Sequence, residues 1–241
     1  MPREQGTTME LMPPVPEPTA LDLVAVPRLG RPAAAPRLPG RVSLSRPYVR
    51  RLIADEADGA DEGERSEFVR AGAGADFYLL SLVCSFRPGP DPFVDASLGV
   101  LLDSPAPHEP PIAWSMTPKL ATAPSGNGVK LTIGAKLMFV ESQLEYAPEE
   151  KAEEHYLVGL GEHQSDPEWR FRRTSRHPLL GDERVTLVVR GAAGAPVSAR
   201  LMLAATFRQA RLGMIRYRAE LSPALREIDL TAHAEPPAVG A

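Results

Sequence analysis

Apolar and polar residues alternate with a period of two along much of the chain. In GVKLTIGAKLMF, residues 128–139, Val129, Leu131, Ile133, Ala135, Leu137 and Phe139 share one parity, and Lys130, Thr132 and Lys136 share the other. Successive side chains of a strand point to opposite faces, so this pattern predicts a half-buried strand. Past Phe139 the apolar parity passes to Val140, Leu144 and Tyr146, which predicts a bulge or break near Glu141. FYLLSLVCSF, residues 77–86, is apolar on both parities, as a strand covered on both faces would be.

The same reading predicts strands at ASLGVLLD (96–103), PIAWSM (111–116), EHYLVGL (154–160), EWRFRR (168–173), ERVTLVVR (183–190), VSARLMLAATF (197–207) and MIRYRAEL (214–221). The separators RPGPDP, PSGNG, HPLLGD and GAAGAP carry turn residues. Only APEEKAEEH has a helical composition, enough for about two turns. Eight or nine short strands without a helical layer predict an all-β fold, an antiparallel β-sandwich.

The predicted domain spans residues 41–230. Residues 1–40 contain MPPVPEPTA and RPAAAPRLPGR, in which proline removes backbone donors and favours extended chain. That segment reads as a disordered Pro-rich tail, and residues 231–241 as a second one. Pro36, Pro39 and Arg41 form a P-x-x-P-x-R spacing, which arises readily in any Pro-rich stretch. ADEADGADEGERSE, residues 54–67, reads as an acidic solvated loop. A calcium loop starting at Asp55 needs acidic or amide groups where Ala57 and Gly59 stand.

Composition then narrows the function classes. The chain has 241 residues and a formal charge of -4, which gives no reason to expect nucleic acid. No run of about 18 apolar residues predicts a transmembrane helix. LDLVAVP is too short for the apolar core of an export signal and follows an acidic stretch. The single cysteine, Cys84, cannot form an internal disulfide, so a reduced, cytoplasmic location is expected. Richness in Ala, Arg, Pro and Gly suggests a bacterial source.

Arginine is the one residue type whose placement suggests binding. On the C-terminal strands Trp169 and Phe171 share a face opposite Arg170 and Arg172, and Val185, Leu187 and Val189 oppose Arg184 and Arg190. Arg200 and Arg208 oppose Leu201, Leu203 and Phe207, and Arg216 and Arg218 oppose Ile215 and Tyr217. If neighbouring strands pair, Arg170, Arg172, Arg190, Arg200, Arg208, Arg216 and Arg218 line one sheet face, with Trp169 as a core or rim anchor. A guanidinium is a planar fork matched to carboxylates, so the expected function is a non-enzymatic adaptor or assembly subunit docking an acidic protein partner. Residues 161–220 carry eleven Arg against six Asp or Glu, while 141–160 carry six Glu against one Lys. Pairing of these charges between subunits would give a homo-oligomer; pairing within the chain would leave an ordinary solvated face.

Catalytic alternatives are fewer. His155 and His163 each adjoin a Glu, yet eight residues of one strand separate them by about 26 Å, too far for one metal. Cys84 in an apolar strand reads as a small hydrophobe. No G-x-S-x-G, H-E-x-x-H or Walker pattern occurs, and no cofactor or metal is expected. A loop-built hydrolase site would centre on His177, with Asp182 and Ser175 nearby. A third alternative is a β-rich oligomerising or membrane-active protein using the amphipathic 129–146 segment.

Overall fold

The computed structural model describes residues 18–26, 36–52, 74–105, 109–122, 154–210 and 213–233. Within them the period-two pattern forms β1 (Pro18–Ala25), β2 (Leu38–Ser45), β3 (Tyr48–Leu52), β4 (Ala75–Phe86), β5 (Phe93–Asp103), β6 (Ile112–Thr117) and β7 (Leu120–Thr122). The C-terminal half adds β8 (His155–Leu160), β9 (Glu168–Arg172), β10 (Gly181–Ala192), β11 (Ser198–Gln209), β12 (Gly213–Glu220) and β13 (Glu227–Asp229). Two single turns of helix, α1 (Pro223–Arg226) and α2 (Leu230–His233), flank β13. None of the described helices is long and apolar enough to cross a membrane.

All thirteen strands join one sheet of order β6-β10-β4-β2-β1-β12-β11-β5-β9-β8-β7. β3 pairs with β4, and β13 with β11, off that path. The two ends of the order, β6 and β7, are consecutive in the chain, separated only by Pro118 and Lys119. The sheet therefore bends round into a nearly closed antiparallel barrel. The expected eight- or nine-stranded sandwich is corrected on both counts. Alternation reports which face of a strand is buried; it carries no information on whether the sheet's ends meet.

Backbone bonds stitch the seam. The Ala113 amide donates to the Gln164 carbonyl at 2.9 Å, the His163 amide to Ala113 at 2.7 Å and the Gly159 amide to Lys119 at 2.8 Å. Trp169 points inward, 1% exposed, and its indole N–H donates to the Pro118 carbonyl at 3.1 Å. At Gly159 a Cβ would lie 3.1 Å from that same carbonyl oxygen, a tight contact.

Inside the barrel the apolar parities meet in register. Val185, Leu187 and Val189 of β10 oppose Leu82, Leu80 and Tyr78 of β4. Ala199, Leu201, Leu203 and Ala205 of β11 oppose Leu102, Val100, Leu98 and Ala96 of β5. At one end the Arg41 guanidinium lies 5.0 Å from the Phe93 ring and 4.9 Å from Phe207, donating to the carbonyls of Arg87 and Asp91. Towards the other end Leu230 of α2 is fully buried and α2 packs against β3 and β4. Thr231 to His233, expected in the C-terminal tail, belong to that helix.

The expected N-terminal tail also differs. Residues 18–25 form β1, inserted between β2 and β12, with Leu21 and Leu23 buried in the core. Alternate apolar residues at 21, 23 and 25 supply the inward face, and Pro18 sits at the strand's first position, where a missing donor is tolerated. β2 begins at Leu38, inside the same expected tail. The 128–139 strand, the break near Glu141, the acidic 54–67 loop and the membrane-active 129–146 segment all lie outside the described residues.

Leu23→Ala is expected to cost about 2–5 kcal/mol in denaturant unfolding, the range for truncating a buried leucine. A cost under about 0.5 kcal/mol, typical of a surface site, would remove β1 from the core.

Candidate functional site

The barrel sorts the seven predicted arginines into two groups. β12, β11, β5 and β9 are consecutive neighbours, and their outward residues fall in rows across the wall. One row runs Arg216, Thr206, Asp95, Arg172; the next runs Arg218, Ala204, Ser97, Arg170. Arg200 lies opposite Leu101, and Arg208 opposite Met214, on the same wall. Arg190 does not join them. It stands on β10, separated from β12 by β4, β2 and β1, with its Nε buried and unpartnered. Sequence neighbours β9, β10 and β11 do not pair with one another, so the single face splits. Trp169 is a core residue with no surface to offer a partner.

Arg170 donates to Glu168 at 2.9 Å, so its charge is partly spent on its own strand. Arg172, Arg200, Arg208, Arg216 and Arg218 make no side-chain ion pair among the described residues. Arg170, Arg172 and Arg216 rim a shallow depression with Asp95, Ser97 and Glu168. That arrangement can hold carboxylates by paired N–H donors. Asp95 and Glu168 keep the wall from being a uniform positive sheet.

A second cluster sits where the β9–β10 loop covers one end of the barrel. The His177 ring stacks on Tyr156 at 3.8 Å, and its Nε2 lies 3.5 Å from Glu183 Oε1. That separation is too long for a good hydrogen bond, and the Nε2 atom is buried without a hydrogen-bond partner. Burial pushes the Glu183 carboxyl up to about 7, aided by the nearby charge of Asp182 and opposed by the Tyr156 hydroxyl. Burial also lowers His177. Of the expected partners, Asp182 acts only at a distance, and the Ser175 hydroxyl donates to Glu154 at 2.8 Å instead of to His177.

The unforeseen member is Glu183. It shares parity with Val185, Leu187 and Val189 and lies opposite Cys84. A carboxylate on an otherwise apolar parity was the signal available in the sequence. His163 packs edge-on against Trp114. Among the described residues no group of three or more His, Cys, Asp or Glu side chains could hold a metal ion.

No family model matches the chain, and no curated protein matches it.

Glu183 and His177 give opposing pH dependences. A folded pKa raised from 4.5 to about 7 makes the neutral Glu183 stabilising in full below 4.5, with that contribution lost as pH rises to about 7. His177, lowered from 6.5, stabilises above 6.5 and loses its contribution as pH falls further. Glu183→Gln is expected to flatten the decline of melting temperature between pH 4.5 and about 7. An unchanged decline would show that Glu183 does not cause it.

Cys84 is fully buried, and desolvation followed by the Glu183 charge pushes its thiol up to about 12. It is expected to resist a thiol reagent until denaturant is added. Rapid labelling of the native protein would contradict this burial.

Proposed function

We propose that the protein is a binding module, an adaptor or a subunit of a larger assembly, that docks an acidic protein partner on the β12–β11–β5–β9 wall. The observation that supports this reading is a set of five arginines, Arg172, Arg200, Arg208, Arg216 and Arg218, that make no side-chain ion pair among the described residues, although Arg172 and Arg200 stand across from Asp95 and Glu227. Three exposed cations elsewhere are paired, whereas Arg46, Arg87 and Arg173 make no ion pair among the described residues. Arg37 meets Glu220 at 3.0 Å, Arg51 meets Asp76 at 2.6 Å and Lys119 meets Glu162 at 2.8 Å. A single exposed pair contributes little, but an array of like charges raises the encounter rate and selects partners of opposite sign.

Replacing Arg172, Arg216 and Arg218 together with Ser is expected to shift stability by about 0.5 kcal/mol or less per site. Affinity for an oligoglutamate peptide is expected to fall about tenfold or more, and wild-type affinity to weaken steeply with added salt. Equal binding by the variant would reduce the wall to a solvated face. A large loss of stability would mean that the arginines serve internal pairs.

A second reading, a small hydrolase, is favoured by one observation: the unpartnered His177 Nε2 beside a carboxyl that titrates near neutrality. Ser175 is engaged by Glu154, so Glu183 and His177 would act on water as the nucleophile. Its mark would be ester hydrolysis rising through pH of about 7 and abolished in Glu183→Gln.

A further inference from the structure

The wall carries more than charge. Seven large apolar side chains are exposed among the described residues: Val26, Leu101, Leu120, Leu160, Leu180, Met202 and Met214. Leu101, Met202 and Met214 stand on the strands of the arginine wall, and Leu160 stands on β8 at its border. The register places them. Directly after the Arg218–Arg170 row comes Met202, then Gly99, Glu168 and Leu160; the row beyond pairs Arg200 with Leu101.

Gly99 has no positive φ, so its backbone does not demand glycine. The missing side chain leaves room for Met202, whose terminal methyl lies 3.6 Å from where a Cβ would stand. Met202 is 44% exposed, Leu160 40% and Leu101 37%, a sizeable apolar area at the edge of two cationic rows. Methionine there is adaptable and suits a surface that receives another side chain.

Rows on a sheet recur every two residues, about 7 Å apart, which is also the repeat of alternate side chains along an extended peptide. A strand-like segment lying along β11 would present carboxylates at positions i and i+2 to the Arg216–Arg172 and Arg218–Arg170 rows. Its side chain at i+4 would fall on Met202 and Gly99. A polyphosphate backbone gains nothing from an apolar row.

Resting on the acidic-partner reading, we infer that the ligand is an extended acidic polypeptide segment bearing carboxylates at i and i+2 and a large apolar side chain at i+4. The arginine rows supply charge recognition, and the Met202–Gly99 row supplies the apolar anchor.

Two synthetic peptides test this on the full-length protein by calorimetry or fluorescence anisotropy: Ser-Glu-Ser-Glu-Ser-Leu-Ser and the same peptide with Leu replaced by Ser. The Leu peptide is expected to bind roughly tenfold tighter, the order gained by burying one such side chain. In Met202→Thr, an exposed and strand-compatible change, that advantage should vanish while the Leu-free affinity stays within about twofold. Melting temperature confirms that the variant is folded. Equal binding of the two peptides to wild type overturns the inference and leaves the charge reading standing. Retention of the Leu advantage in Met202→Thr also overturns it, since the anchor then lies elsewhere. Failure of both peptides, at low salt, overturns the inference and the acidic-partner reading together. Tighter binding of a single-stranded oligonucleotide of equal charge overturns the polypeptide class.

Discussion

The Trp169 indole holding the Pro118 carbonyl inside the wall marks the constraint on which the structure depends: the sheet has to end where it began. β6 pairs with β10 and β7 with β8, and only two residues separate them. Once that stretch is anchored, every strand between has a fixed neighbour on each side, and few unpaired edges remain to attract other chains. The cross-links from Ala113, His163 and Gly159 extend the seam along its length. β1, set between β2 and β12, completes the far side of the ring.

Closure also decides what the outside can do. The inward parities meet in one core, from Leu23 through Tyr217, so outward residues are free to carry charge without costing packing. On β12, β11, β5 and β9 that freedom produces aligned rows of arginine with an apolar border. On β10 and β4 the outer face is different. Phe77 and Val83 are buried there despite their outward parity, and Arg190 is half-buried opposite Phe77. Two walls of one barrel therefore differ in character, although both carry arginines opposite an apolar parity.

Face assignment along β9, β10, β11 and β12 was legible in the sequence because the alternation there is regular. Strand order was not, since β9, β10 and β11 look alike in pattern yet pair with β5 and β8, β4 and β6, and β12 and β5. β1 and β2 were obscured by proline and glycine: Pro18 opens one strand, and Pro39 and Gly40 lie within the other. Glu183 was legible in principle, as a charge on an apolar parity, but its contacts with His177 and Tyr156 depend on a loop fold that alternation does not encode. The Met202–Gly99 row needed register, because neither residue stands out along the chain.

The claim that one wall, and not the whole arginine content, does the recognising is tested most directly by the side-chain Nε–Hε resonances of arginine. On adding oligoglutamate at low salt, the resonances of Arg172, Arg216 and Arg218 are expected to shift with a common saturation curve while Arg184 and Arg190 on β10 stay in place. Shifts spread evenly over all the arginines, or absent from the β12–β11–β5–β9 wall, would contradict the account.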